Sequence, residues 1–178
     1  MKLGFWYLII VAIIATAVAL FEIWGIAHYR LGWGEPLPQD KVWGKSLIRK
    51  APFNLVGFQL LTRYHFVMYC VLVPASVLSL GFLLRHIITS PPAHWFGWLL
   101  FTIAGTLGTM VLEDFLFFVF STLLGTPYPH ALTRLFRGEA SWHPSQISII
   151  GLFKLPAAYV WVPLTAALLL WVLARLNL

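Results

Sequence analysis

An all-α membrane fold, with four transmembrane helices in one bundle, is what this sequence predicts, and three observations carry that expectation. The 178 residues are 60% hydrophobic and only 10% charged, against about 25% charged in soluble domains. Four apolar stretches, residues 5–27, 66–84, 96–124 and 155–173, match the roughly 20 residues needed to cross a hydrocarbon core. Trp6, Trp24, Trp33, Trp95, Trp98 and Trp171 gather near the ends of these stretches, where amphipathic rings meet lipid headgroups. No repeat or low-complexity tract divides the chain, so residues 1–178 are expected to form one domain.

The first stretch begins like a secretory signal, with Lys2, an apolar run and then Ala15-Thr16-Ala17. The apolar run continues well past that point, too far for a signal core, so it is read as a retained span. Ala12, Thr16 and Ala19 recur at helical spacing and lead to Glu22. Small residues let helices approach closely, so this face should look into the bundle with Glu22 on its packed side.

Residues 28–64 form a basic loop, broken at Gly34-Glu35-Pro36-Leu37-Pro38. Lys41, Lys45 and Arg49 recur every four residues around Trp43 and Leu47, a pattern that suits either a helix lying on the membrane surface or an irregular loop. The second span opens at Arg63-Tyr64-His65 and contains Pro74, which bends membrane helices. Cys70 has no partner for a disulfide or thiolate cluster and is expected to be a small buried packer. Pro91-Pro92 then forces a tight return, with His86 and His94 on the side away from the acidic residues discussed below.

The third span is longer than a bilayer requires, so it should tilt or project. Thr102, Thr106, Thr109 and Glu113 make one polar stripe along it, with Ala104, Gly105 and Gly108 as close-packing positions beside them. Asp114 is rotated about 100° from Glu113, toward the face of Ser121. The third loop, 125–154, begins with the helix-ending Thr126-Pro127-Tyr128-Pro129. Pro144 suits the first residue of a further helix rimming the membrane, and Pro156 and Pro163 should bend the fourth span.

Charge sets orientation. Arg30, Lys41, Lys45, Arg49, Lys50, Arg63, Arg134, Arg137 and Lys154 follow spans one and three, whereas Lys2, Arg85 and Arg175 lie on the other side. The positive-inside rule therefore places loops 28–64 and 125–154 in the cytoplasm and both termini on the non-cytoplasmic side of a bacterial or archaeal inner membrane. The net charge of +6 reads as a rim for anionic membrane lipids rather than a nucleic-acid surface.

Glu113 and Asp114 are the residues to explain. One carboxylate in mid-span costs about 2.5–3.5 kcal/mol on insertion scales, and a chain built only to cross a bilayer would place Leu at both positions. Carboxylates and histidines from several helices are how bundles hold iron, manganese or zinc. On that basis Glu22, His65, Glu113, Asp114 and His143 are candidate metal ligands. Glu113, Asp114 and His143 are candidate catalytic groups, and Tyr64, Thr109 and Ser121 candidate substrate-lining residues. The usual metal signatures, Glu-x-x-His and His-Glu-x-x-His, are missing. Haem, with His28 and His65 as axial ligands, is not expected.

The segment Glu113-Asp114-Phe115-Leu116-Phe117-Phe118, followed by Trp142-His143, resembles a pattern in uncharacterised small prokaryotic membrane proteins. That resemblance implies no activity, but it does imply that Trp142-His143 and the acidic pair act as one unit. The expected function is a metal-dependent membrane enzyme acting on a lipid-like or isoprenoid small molecule. Two alternatives stand beside it. One is a metal-free acid–base site for isomerisation or proton transfer. The other is a non-catalytic subunit that works with a membrane-protein partner or as a homo-oligomer.

Overall fold

The computed structural model describes residues 3–30, 67–87, 91–140, 146–149 and 153–176. In chain order its elements are α1 (Leu3–Tyr29), a π-helical turn (Met68–Leu72) running into α2 (Val73–Leu84), and α3 (Trp95–Leu124). Then come α4 (Ala131–Phe136), strands β1 (Gln146–Ile149) and β2 (Phe153–Pro156), and α5 (Ala158–Leu176). Three helices are long and apolar enough to span a membrane, through Leu3–His28, Trp95–Leu124 and Ala158–Leu176, and Met68–Leu84 is a shorter apolar helix. The surface-helix pattern at 41–49 and Trp33 lie outside the described residues.

The long α3 is the hub on which α1, α2 and α5 all pack. Its glycines make this possible. A Cβ at Gly105 would stand 2.6 Å from Val77 of α2, and one at Gly108 would collide with the Tyr7 hydroxyl of α1. Tyr7 uses that proximity to donate to the Ala104 carbonyl at 3.0 Å. Trp98 of α3 stacks on Phe82 of α2 at 4.4 Å between ring centroids.

The buried face of α1 differs from the expected one. Ala15 and Ala19 are buried, as are Tyr7, Ile10, Val11, Ile14 and Val18, but Ala12 is exposed and Thr16 only half-buried. Close approach needs small residues on one partner only. With Gly105 and Gly108 supplied by α3, α1 can present bulky side chains to it.

The π-helical turn precedes Pro74, and the Val73 N–H bonds the Met68 carbonyl five residues back. A proline ring clashes with the carbonyl four residues before it and offers that carbonyl no N–H. The wider turn accommodates both defects at Cys70. Cys70 itself is exposed, contrary to the buried packer expected, because the buried side of this turn is taken by Met68 and Tyr69.

Gly125, at φ 67°, closes α3. The short α4 then folds back beneath α3, burying Ala131 and Leu135 and giving the Leu132 N–H to Thr122 Oγ1 at 3.0 Å. The helix expected after Pro144 is not what the described residues show. Gln146–Ile149 pairs antiparallel with Phe153–Pro156, Gln146 opposite Pro156 and Ile149 opposite Phe153. Alternation of Gln146 and Ser148 with Ile147 and Ile149 is a period of two, which a strand satisfies and a helix does not. The same hairpin takes Leu155 and Pro156 out of the fourth apolar stretch, so the last helix starts at Ala158.

Candidate functional site

Successive side chains on a helix point about 100° apart, and the two acids of α3 use that divergence to meet different helices. Glu113 is 2% exposed. Tyr69 of the π-helical turn donates its hydroxyl to Glu113 Oε2 at 2.6 Å, and Glu22 of α1 is a neighbouring acid. Asp114, half-buried, turns instead to α5, where the Tyr159 hydroxyl donates to its Oδ2. Each acid therefore has one tyrosine on a different neighbouring helix.

Tyr159 stands in the first turn of α5, edge-on to Phe115 at 6.1 Å. Four residues on, Pro163 has no N–H for the Tyr159 carbonyl, so the regular ladder is interrupted beside this side chain. Tyr159 is also one wall of a cleft of about 540 Å³ between α1, α3 and α5. Tyr7, Gly108, Leu112, Phe115 and Ala167 form much of the rest, and the lining is almost wholly apolar. An apolar cleft of this kind suits a hydrocarbon chain, with the Tyr159 phenol in its wall.

Of the residues singled out in the sequence, Glu22 and Asp114 both neighbour Glu113, and Asp114 also meets α5 through Tyr159. Thr109 and Ser121 are wholly buried on α3, away from the cleft wall. Their hydroxyl oxygens, with Glu113 Oε1, have no hydrogen-bond partner among the described residues. Higher on the stripe, Thr102 and Thr106 bond the Trp98 and Thr102 carbonyls one turn back, the usual way a hydroxyl is satisfied within a membrane helix. Tyr64, His65 and His143 lie outside the described residues. His28 is exposed and stacks on Trp24 at 5.2 Å, while His86, His94 and His130 are exposed. Among the described residues no three His, Cys, Asp or Glu side chains come together as a metal site would require.

Sequence reasoning missed Tyr69 and Tyr159. The signal was there, because a buried tyrosine hydroxyl needs a partner and both residues sit inside apolar stretches that also hold few other donors.

Helices of this length and composition, joined by buried carboxyl–tyrosine contacts, define a small helical integral membrane protein. No protein-family model, curated protein or solved structure matches the chain.

Proposed function

We propose that this protein performs acid–base chemistry on a lipid-like substrate, an isoprenoid or acyl chain lying in the α1/α3/α5 cleft beside Asp114 and Tyr159. One observation carries the reading: Tyr159 is at once a wall of the apolar cleft and the donor to Asp114. The Tyr159 hydroxyl can pass its proton to the Asp114 carboxylate as its oxygen takes one from the substrate, and the reverse transfer returns a proton to the substrate. The apolar lining holds the chain and keeps water out. In a metal-dependent form of the same reading, His65 and His143 would join Glu22, Glu113 and Asp114 around iron, manganese or zinc. Elemental analysis of the wild type beside Glu113→Gln and His143→Ala tests that form.

Lipid extraction and mass spectrometry of the purified protein test the cleft. A bound isoprenoid or acyl lipid is expected, lost in Ala167→Trp, which fills the cleft, and kept in Tyr159→Phe, which removes only the hydroxyl. Equal lipid content in wild type and Ala167→Trp would sink the proposal.

A second reading is favoured by the tyrosine–carboxyl contacts themselves, since each ties α3 to another helix and would serve a non-catalytic subunit equally well. Under it, Glu113→Gln weakens assembly with a membrane-protein partner and no chemistry is lost. Both readings take Met68–Leu84 as a fourth span, with both termini outside a bacterial or archaeal inner membrane.

A further inference from the structure

The cleft between α1, α3 and α5 has two unlike ends. Along α5 its wall runs from Tyr159, which stands against Phe115, to Leu170, about 16 Å of helical rise. The Tyr159 hydroxyl, with Asp114 behind it, marks the end where α5 begins. Tyr7 lines the cleft as well, but its hydroxyl is given to the Ala104 carbonyl. An unpartnered polar head among hydrocarbon side chains is costly. A lipid in this cleft therefore keeps its tail toward Leu170 and its head toward the start of α5.

What lies beyond Tyr159 is basic. Between the end of α3 at Leu124 and the start of α5 at Ala158 come α4 and the β1–β2 hairpin, so both belong to one face of the membrane. Strand β2 packs on α4 and on the start of α5, and it carries Lys154 five residues before Tyr159. The Lys154 side chain lies against Gly138, beside Arg137: a Cβ on Gly138 would stand 2.7 Å from Lys154 Cδ. Arg137 and Lys154 are both exposed. Arg134 pairs with Glu139 at 3.4 Å, and among the described residues no carboxylate pairs with Arg137 or Lys154. Asp114 acts in the opposite sense, since its carboxylate repels an anion from the cleft itself. At the far end Arg175 lies over the Trp171 ring at 5.6 Å, so that cation is already engaged.

We propose that the cleft selects an anionic lipid, with its hydrocarbon chain toward Leu170 and its phosphate outward of Tyr159 on Arg137 and Lys154. The proposal rests on the reading of the cleft as a lipid site, and adds which lipid it takes and which way round. A basic side chain at the headgroup level favours an anionic lipid about fivefold.

Native mass spectrometry of the full-length protein tests it, by titration with phosphatidic acid and with phosphatidylcholine of the same acyl chains. The wild type is expected to bind phosphatidic acid about tenfold more tightly. Arg137→Gln combined with Lys154→Gln should make the two affinities equal and leave phosphatidylcholine binding unchanged. Arg175→Gln should leave the preference intact, and Ala167→Trp should abolish binding of both lipids. Equal affinities in the wild type, a preference that survives the double substitution, or one lost in Arg175→Gln overturns the proposal and leaves the cleft as a lipid site. Phosphatidic acid retained in Ala167→Trp while phosphatidylcholine is lost marks a surface charge effect and overturns it too. Both lipids retained in Ala167→Trp sinks the cleft reading itself.

Discussion

A tyrosine hydroxyl on a carboxylate, deep among hydrocarbon side chains, is a contact whose alternative is poor, since few other donors are available there. Hydrogen bonds between membrane helices are nonetheless worth only about 0.6 kcal/mol on average and about 1.7 at most, because the separated helices find other partners. Tyr69→Phe should cost more than that average, because Glu113 would then lose its only hydroxyl donor among the described residues. A loss of about 1–3 kcal/mol is expected, measured by unfolding in mixed detergent micelles. Tyr159→Phe should cost less, on the order of 1 kcal/mol, because Asp114 is only half-buried. Equal costs would mean that burial does not set the strength of these contacts. The acids were legible in the sequence as a mid-span anomaly. Their separate partners were not, because the contacts of Glu113 and Asp114 depend on which helices flank α3, and no local pattern encodes that.

Helix packing is the next level up, and here the glycines of α3 make the sharpest forecast. Gly105→Ala would place a methyl 2.6 Å from Val77, and overpacking of this kind costs about 1–3 kcal/mol. Val77→Ala should restore much of that loss, so the two changes together are less harmful than their sum. Simple additivity would show that Gly105 acts without Val77. Gly138 makes a comparable case outside the spans. It adopts φ 74°, a Cβ there would collide with Gln146 Oε1, and its carbonyl accepts from Gln146 Nε2 at 3.0 Å. Gly138→Ala should therefore loosen the β1–β2 hairpin, seen as faster amide hydrogen exchange across residues 153–155, while α3 is unaffected. The long helices were legible from length and hydropathy alone. The hairpin was not, because Pro144 is a helix-start signal and the two-residue alternation after it spans only four residues, Gln146–Ile149. The π-helical turn was half legible, since Pro74 announces a disturbed helix without saying whether it bends or widens.

Across the whole molecule, the number of crossings decides where the chain ends lie. Three spans put the termini on opposite sides and four put them on the same side, so the status of Met68–Leu84 is settled by topology. At 17 residues this segment is about 25 Å long, at the short end of what a bilayer accepts. The charge asymmetry favours a crossing, and tags at both termini should be accessible only from outside in intact cells. Labelling of one end alone would reduce the protein to three spans. The membrane setting was plain from composition. The arrangement around α3 was not, since each helix is apolar on nearly every side and hydropathy gives no direction in lipid.

The two tyrosine partners also differ in when they exist. Tyr69 and Glu22 are already made when Glu113 leaves the ribosome, whereas Tyr159 follows Asp114 by 45 residues. At about 5–20 residues per second, Asp114 waits on the order of 2–9 s for its partner. During that interval α3 is a half-satisfied helix, held by α1 and α2 on one side and bare on the other. Nascent chains that stop short of Tyr159 should therefore keep α3 crosslinkable to the insertion machinery, and chains that include α5 should release it. Biosynthesis would then proceed in two stages, an early trio of helices followed by the arrival of α5.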